Sequence, residues 1–578
     1  MKELDEKLLD SYKNGSFLDV VYKLYLEDHG EESTLNTSLI GMHNEGLLDV
    51  ISEFNKLRAK DEGKDFFLLR GVLENVLPEI NAPTSQVMSC VKHLTLEAGK
   101  DMTSHTLMRP FREFCQSDPE RPIEVLTLAT DIIDEEFDFI SSAIISGATI
   151  DIQEYVEKAV SLGGSKNSTI SQRAIFALGQ VDYKDQKKLI GAAVEIIVSA
   201  PNAHKDNPFF SVSLRSLSLL AQQDEDCEAA LLSFIQNHQE VADDHLIHAA
   251  AEILFFERGK IPGEIENSLF LLACKVKPQN KGTLNKLDYA FTNVLKRGES
   301  CRVIELIEKL FEQSKYEISI ADFSSLVGEL FRNKDTYLSE LVTRWLLSRN
   351  AALGRFCCDL FDISRTREVA IQCDLSQLSG ENTNAHLFLT KKACGWLFIK
   401  QFSAISFIAS LIDSAPEEQL EEISGIVFDP LLISYPGGVK EYLENMPSDS
   451  SEKMQNFTAS VLEKLDEYHD GLDQVSGIKE MRTSEAQRHA YSRHYHKMMS
   501  EMHDGVREES AFLSMIKESV LLYGTNSIHY MYHSGEKHRQ ESQMQKVSTK
   551  FEFPSLELID PHGLNFQIRR FRLEGCTK

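Results

Sequence analysis

The sequence is poor in proline and has no long apolar run. Only 15 of its 578 residues are proline, which favours long helices over loops because proline interrupts helix interiors. No stretch of 18 or more apolar residues occurs, and residues 1–6 (MKELDE) are polar and acidic. We therefore expect neither a membrane-spanning helix nor a secretory signal peptide.

The sequence also lacks the local signatures of common enzymes. It contains no GxSxG, HExxH or kinase motif, and no GxGxxG followed by a strand and a helix. Residues 163–169 (GGSKNST) share letters with a phosphate-binding loop, but their spacing cannot aim successive backbone amides at a phosphate. We therefore predict a non-enzymatic protein, with no catalytic residue assigned and no cofactor.

Paired cysteines are missing as well. The 10 cysteines are scattered, without a CxxC pair or a zinc-like spacing. Several lie in apolar helical runs, such as Cys274 and the adjacent Cys357 and Cys358, where a reduced thiol packs well. This distribution predicts small buried side chains rather than disulfides or metal ligands, and a reducing, cytoplasmic compartment.

Apolar anchors recur at regular intervals in the middle of the chain. Helical segments there end on Leu178, Leu219, Leu254, Leu295 and Leu330, which are 41, 35, 41 and 35 residues apart. Such a period fits a pair of helices with two tight turns, and one pair cannot bury its apolar face without neighbours. The period predicts a mainly α fold, an α-solenoid of stacked antiparallel helix pairs.

In the same region small side chains stand beside large ones, which lets neighbouring helices approach. Residues 173–178 (RAIFAL), 248–254 (HAAAEIL) and 288–295 (DYAFTNVL) have this pattern, and each is followed by a polar turn and a second apolar helix. Residues 168–362 thereby resemble the HEAT and armadillo-like class of helical repeats in period and pattern. The resemblance implies an extended surface that grips proteins or nucleic acids.

Breaks in the pattern divide the chain into four predicted parts. These are an N-terminal helical region at 1–165, HEAT-like repeats at 166–362, a continuing helical region at 363–476, and a small C-terminal α+β module with antiparallel strands at 477–578. The third part contains a dense apolar block, at residues 396–399 and 405–412. We interpret this block as core, and an exposed docking helix is the alternative.

Charge is distributed unevenly along the chain. Residues 482–578 carry 14 Lys or Arg against 12 Asp or Glu, whereas residues 1–481 carry 47 against 77. The body is therefore acidic, at −30, and the tail is close to neutral, at +2. Because an acidic body repels phosphate backbones, we expect nucleic acid to bind only through the C-terminal module, if it binds at all.

The tail is predicted to mix helices and strands. Residues 483–503 and 509–523 have helical patterns. Alternating apolar residues then predict strands, at 547–553, 556–558 and 566–568. Residues 560–563 (DPHG) predict the turn between the last two strands, and residues 533–536 (HSGE) predict an earlier turn.

Histidines concentrate in this tail. Eight of the chain's 18 histidines lie between His489 and His562. His489, His496 and His503 recur every seven residues on one helix face, which separates them by about 10 Å per step. One metal ion needs closer ligands, so we assign no metal site. The alternative is a half-solvated surface that gains charge below about pH 6.5.

Basic residues are the candidate binding residues of the tail. They are Arg488, Arg493 and Lys497 on a predicted helix, Lys537 and Arg539 after a predicted turn, and Arg569, Arg570 and Arg572 on the predicted last strand. With nearby aromatic side chains they would suit a phosphate backbone with stacked bases. We favour the alternative that they dock the module on the acidic body or on a partner protein, because nucleic-acid-binding modules are usually more basic.

These patterns together predict a scaffold or adaptor subunit. It binds protein partners in a larger complex through an acidic helical-repeat body and a C-terminal module. The alternative is a nucleic-acid-binding or nuclease-like effector function in the module. A bacterial phage-defence system is its suggested setting, by analogy with other solenoid proteins alone. We expect protein partners and no membrane partner.

Overall fold

The structure is a computed structural model, and the chain packs as two units. The described residues are 2–27, 34–60, 63–99, 105–134, 137–184, 186–204, 207–256, 261–363, 369–378, 384–447, 449–478, 484–509, 516–521, 526–533, 536–543 and 552–574. The first unit is Met1–Ile318 and the second is Ser319–Lys578. The four-part division expected from the sequence stays a prediction.

Helices fill the first unit. They are α1 (Lys2–Lys13), α2 (Phe17–Glu27), α3 (Thr34–Asn44), α4 (Val50–Phe54), α5 (Phe66–Val76), α6 (Thr84–Ala98), α7 (Met108–Gln116), α8 (Arg121–Asp131), α9 (Ile140–Ile150), α10 (Ile152–Gly163), α11 (Ser168–Gln180), α12 (Lys187–His204), α13 (Asn207–Ala221), α14 (Glu228–His238), α15 (Asp244–Phe256), α16 (Gly263–Ala273), α17 (Lys281–Lys296) and α18 (Ser300–Gln313). Polar caps begin several of them, because a side-chain oxygen can satisfy a free amide of the first turn. The Asn167 side chain, for example, accepts from the Ile170 amide at 3.1 Å at the start of α11.

The described elements of the second unit are helices and one small sheet. Its helices are α19 (Ser324–Arg332), α20 (Ser339–Leu347), α21 (Ala351–Ile363), α22 (Ala385–Trp396), α23 (Gln401–Ala409), α24 (Glu417–Ile426), α25 (Gly438–Glu444), α26 (Glu452–Gln474), α27 (Glu485–Glu509), α28 (Ser555–Ile559) and α29 (Pro561–Leu573). Its strands are β1 (Ile516–Leu521), β2 (Asn526–His533) and β3 (Glu536–Gln543).

Helices two places apart along the chain lie side by side. In the first unit α11 packs on α9 and α13, α13 packs on α15, and α15 packs on α17. In the second unit α20 packs on α22, α22 on α24, and α24 on α26. Leu178, Leu254 and Leu295 are buried in this packing and Leu219 is half-buried. The predicted mainly α fold, an α-solenoid of stacked helix pairs, is confirmed.

Small residues set the distance between neighbouring helices. A side chain added at Gly179 of α11 would place its Cβ 2.6 Å from Ser216 Cα of α13, so the two backbones are in direct contact. The Ser216 hydroxyl donates to the Ile175 carbonyl at 2.9 Å across the same contact. A buried serine therefore joins two repeats without adding bulk.

The apolar block of the second unit is core, as predicted. Phe398, Ile405 and Phe407 are buried, whereas Ile399 is 66% exposed. The cysteines largely follow the prediction too. Of those described, Cys301 is exposed and Cys358 is half-buried, and the others are buried.

The C-terminal sheet lies earlier in the chain than the predicted strands, and residues 526–533 and 536–543, which form β2 and β3, were not among them. Residues 509–523 were expected to be helical, but Ile516–Leu521 is strand β1, paired antiparallel with β2. A short apolar segment fits either period, and here the backbone hydrogen bonds to β2 decide for the strand. The strands β2 and β3 are antiparallel neighbours, with His533 opposite Glu536. The predicted turn at 533–536 therefore has strand ends on both sides, and residues 534–535 lie outside the described part.

The predicted last strands are wrong, because residues 556–558 and 566–568 lie in the helices α28 and α29. Leu564, Ile568 and Phe571 are the buried residues of α29, at helical spacings of four and three, while Phe566 is 72% exposed. The Asp560 side chain accepts from the Gly563 amide at 2.9 Å and caps α29. The same residue types serve turns and helix starts, which explains the error. Of the strand predicted at 547–553, residues 552–553 are described, without strand structure.

We predict that Gly179→Ala destabilises the first unit. The added methyl group would meet Ser216 backbone at 2.6 Å, and overpacking of this kind costs roughly 1–3 kcal/mol. Urea denaturation followed by far-UV circular dichroism should show a lower midpoint. Gly191→Ala in α12 is the control, since nothing lies within 4 Å of its added Cβ and alanine favours a helix. An unchanged Gly179→Ala midpoint would contradict the contact.

Candidate interaction surfaces of the C-terminal region

The last described segment of the chain returns to the helical body. We call residues 552–574 the strap; it contains α28 and α29. The helix α29 packs on α22 and also contacts α21. Its buried face, formed by Leu564, Ile568 and Phe571, accounts for this packing, because an amphipathic helix gains most of its stability by covering its apolar face.

The start of the strap is held by backbone amides. The Glu552 carboxylate accepts from the Gly437 amide at 2.5 Å and from the Gly438 amide at 2.6 Å. A Cβ at Gly437 would lie 2.8 Å from Glu552 Oε1, so a larger residue there would displace the carboxylate. The Ser555 hydroxyl donates to the Ile433 carbonyl at 2.5 Å. The two bonds to the Glu552 carboxylate are charge-assisted, and such hydrogen bonds are among the stronger ones in proteins.

The end of the strap is held by Arg572. Its Nε donates to the Gly395 carbonyl at 2.6 Å, and its guanidinium lies 4.7 Å from the centre of the Trp396 ring. Lys392 Nζ donates to the Arg572 carbonyl at 2.6 Å. Burial lowers the pKa of Arg572, but an arginine keeps its charge. Arg572 therefore serves the attachment of the strap to α22.

Further polar contacts lie along the strap. Lys391 Nζ is 2.9 Å from Glu574 Oε1, and Gln567 Nε2 donates to the Asp429 carbonyl at 3.2 Å. Burial raises the pKa of the Asp429 carboxyl group, and a hydrogen bond from the Gln567 side chain to that carboxyl group acts in the opposite direction. The contacts join residues 138 to 183 positions apart in sequence.

The predicted cations of α29 divide by face. Arg569 and Arg570 are exposed on the helix, and Arg570 Nε lies 3.9 Å from Glu574 Oε2. Arg572 is turned toward α22, as described above. The predicted trio is thus split between a docking residue and two solvent-facing residues.

The predicted cations of α27 are all exposed. Arg493 and Lys497 are four residues apart, which places them on one face of the helix, and Lys497 Nζ lies 3.7 Å from Glu501 Oε1. Arg488 is exposed one turn before Tyr491. The opposite face is in contact with the strap, because the Tyr491 and Tyr495 rings lie 5.4 and 5.5 Å from the Phe553 ring.

The predicted cations of the sheet share one face. Arg539 stands opposite Tyr530 in the β2–β3 register, and Lys537 is two residues away on the same face. Lys537 Nζ lies 3.8 Å from the centre of the Tyr530 ring. Arg539 Nη2 is 3.5 Å from Glu541 Oε2. The structure therefore brings Lys537, Arg539 and an aromatic ring together.

The histidines of the tail lie on several elements. His489, His494 and His496 are exposed on α27, and His562 is exposed at the start of α29. Within the described part of the chain, no group of three or more His, Cys, Asp or Glu side chains is arranged to hold a metal ion.

Sequence reasoning missed the residues that hold the strap. Glu552, Ser555 and Gln567 form hydrogen bonds to backbone groups of the body. The local sequence does not predict these bonds, because the backbone amides and carbonyls that take part in them lie more than a hundred residues earlier in the chain. A signal for the helix itself was present in the spacing of Leu564, Ile568 and Phe571.

Comparisons with known proteins add little to this geometry. No protein-family model matches the chain, and no curated protein matches its sequence. Among solved structures, an engineered protein aligns with 81% of this chain and 99% of its own, at 13% identity and a TM-score of 0.21. A chain of the Pds5–Scc1 complex aligns with 81% of this chain and 85% of its own, at 11% identity and a TM-score of 0.17. At these values the function has to be argued from the chain's own residues.

Within the described residues, no helix is both long enough and apolar enough to span a membrane.

We predict that Arg572→Ala loosens the strap. The change removes the hydrogen bond to the Gly395 carbonyl and the contact with the Trp396 ring. Amides of residues 561–573 should exchange with solvent roughly tenfold faster or more, as measured by hydrogen-exchange mass spectrometry.

A matched pair of variants controls this experiment. Arg569→Ala removes an exposed arginine from the same helix and should leave exchange unchanged. Gly395→Ala would place a Cβ 3.1 Å from the Arg572 amide nitrogen, and should accelerate exchange as Arg572→Ala does. Equal protection in Arg569→Ala and Arg572→Ala would show that the arginine contact does not hold the strap.

Proposed function

We propose that the protein is a non-enzymatic scaffold or adaptor subunit. It binds protein partners in a larger complex through its acidic helical-repeat body and its C-terminal module. The observation that carries the proposal is the way α27 and the sheet are presented: the chain leaves the body after α26, forms these elements, and is fastened again by the strap at Glu552 and Arg572.

The helix α27 is long, and within the described part of the chain it packs on the strap. It spans 25 residues, and none of its described side chains is buried. Apart from Tyr491 and Tyr495, which contact Phe553 of the strap, most of its described side chains are polar and exposed. Most helical stability in proteins comes from packing of one face, so a helix of this kind is suited to packing against another molecule.

Charge favours particular partners for each part. The body, at −30 over residues 1–481, suits neutral or basic partner surfaces. The face of α27 that carries Arg493 and Lys497, and the sheet face that carries Lys537 and Arg539, suit acidic ones. Complementary charge of this kind directs encounter and register more than it sets affinity.

The alternative is a nucleic-acid-binding or nuclease-like effector function in the C-terminal module. The grouping of Lys537 and Arg539 with the Tyr530 ring favours it, because phosphate-binding cations beside an aromatic face are typical of single-strand recognition. Against it stand the small net charge of +2 and the use of Arg572 within the fold. A phage-defence setting is supported by analogy alone.

We predict that charge reversal on the module removes protein partners. Full-length protein carrying Arg493→Glu with Lys497→Glu, or Lys537→Glu with Arg539→Glu, should lose partners that the wild type retains in affinity purification from its native source, quantified by mass spectrometry. Lys166→Glu with Lys188→Glu is the control, since both lysines are exposed on the body. A wild-type protein that elutes alone and monodisperse would contradict the scaffold function.

The alternative has a separate test. The measurement is fluorescence anisotropy with labelled single- and double-stranded DNA and RNA. We expect the wild type to show no binding of the kind that weakens steeply as salt is added. Steep salt dependence reports release of ions from phosphates. If such binding is found and is lost in Lys537→Glu with Arg539→Glu, the effector function replaces the scaffold function for this module.

A further inference from the structure

A second group of charged and aromatic side chains lies on the first unit, far along the chain from the predicted sites. It is built on α13, α15 and α17, which pack side by side. Positions 215, 252 and 286 are separated by about one repeat, so helix stacking brings them together. We call Arg215, His248, Glu252, Phe255, Phe256, Lys286 and Tyr289 the aromatic–basic patch.

One carboxylate at the centre of this patch is shared by several bases. Glu252 contacts Arg215 Nη2 directly, and its Oε1 lies 3.2 Å from Lys286 Nζ and 3.4 Å from His248 Nε2. Burial would raise the pKa of Glu252, but the charges of Arg215 and Lys286 outweigh it and hold that pKa below its ordinary value. Two permanent cations therefore face one carboxylate.

The bases have binding capacity left. The Arg215 side chain is 38% exposed and that of Lys286 is 23% exposed, so both remain accessible. His248 adds a neutral ring, because burial lowers its pKa, and its Nδ1 lies 2.7 Å from Thr283 Oγ1.

Aromatic rings border the charged centre. The Phe255 ring is 4.8 Å from the Phe256 ring and 5.5 Å from the Tyr289 ring. Lys286 Nζ lies 5.6 and 5.4 Å from the centres of the two phenylalanine rings. Phe256 is 66% exposed and Tyr289 is 49% exposed. Accessible aromatic and arginine side chains side by side are typical of the residues that dominate protein interfaces.

We propose that the aromatic–basic patch binds an acidic segment of a partner protein, in which a carboxylate lies next to an apolar side chain. The partner carboxylate would take the place of Glu252 on Arg215 and Lys286, and the apolar side chain would pack on Phe256 and Tyr289. Charge complementarity selects this occupant, because the patch presents an excess of positive charge within a body of −30. The inference rests on the scaffold function and identifies one of its surfaces.

Changing Glu252 distinguishes a binding surface from a purely structural ion pair, because the two roles predict different effects on peptide affinity. In the free protein its carboxylate competes with the incoming one for the two cations. Removing its charge should therefore strengthen binding of an acidic segment. If the cluster only stabilised the stacking of α13, α15 and α17, the same change would leave binding unaffected.

A random dodecapeptide phage library selected on the full-length protein supplies the probes. Enriched peptides should carry Asp or Glu close to an aromatic or aliphatic residue. Synthetic fluorescent copies should bind Glu252→Gln about fivefold more tightly than wild type, and Lys286→Glu and Phe256→Ser at least about fivefold more weakly, by anisotropy. Val241→Ser is the control for loss of an exposed apolar residue, since Val241 is 69% exposed.

Three outcomes of the peptide experiments overturn the inference: no enrichment of acidic peptides, equal binding by wild type and Lys286→Glu, or weaker binding by Glu252→Gln in a protein whose thermal unfolding is unchanged. A phosphorylated peptide or single-stranded DNA that displaces the acidic peptides at lower concentration would also overturn it, in favour of a phosphate ligand. If native partners survive Lys286→Glu in affinity purification, the scaffold function stands and only this surface is wrong. Acidic peptides that bind to a protein without native partners would instead contradict the scaffold function and support this surface as a peptide-binding site.

Discussion

Close contact between the backbones of successive repeats is the constraint on which the rest of the structure depends. At Gly179 and Ser216 two helices meet with no room for a further methyl group, and the Ser216 hydroxyl fills the gap with a hydrogen bond to the Ile175 carbonyl. A similar hydrogen bond joins α9 to α11, where the Ser141 hydroxyl donates to the Arg173 carbonyl at 3.1 Å. A helix pair that could not approach its neighbour would leave its apolar face in water.

The same stacking creates surface features that no single helix contains. Side chains about one repeat apart in sequence become neighbours in space, as Arg215, Glu252 and Lys286 do on α13, α15 and α17. Each of these helices is an ordinary amphipathic helix on its own. Binding surfaces on a helical-repeat protein therefore have to be sought across repeats, whereas a search for local motifs finds nothing.

The sequence predicted the repeated helices, the buried cysteines and the core role of the apolar block, because periodicity and burial are properties of single segments. It failed where a distant partner decides. Residues 516–521 become a strand through pairing with β2, and residues 566–568 belong to a helix whose face is completed by α22. The alternation of Phe566 and Ile568 was misleading, since Phe566 faces solvent. The grouping of Lys537 and Arg539 was predicted from proximity in sequence, but the docking role of Arg572 depends on Gly395 and Trp396, far earlier in the chain.

The strap also limits the surfaces that are open to the proposed partners. A segment of the same chain meets its own binding surface at an effective concentration on the order of millimolar, and lengthening the connection lowers this only slowly. A separate protein that used the contacts of Glu552 and Arg572 would have to overcome this advantage before it could occupy α22. The surface under the strap is therefore already taken. The proposed partners are better served by surfaces that the strap leaves accessible in the second unit, on α27 and the sheet. The aromatic–basic patch of the first unit is equally suited, because the internal competitor there is one carboxylate rather than a docked helix.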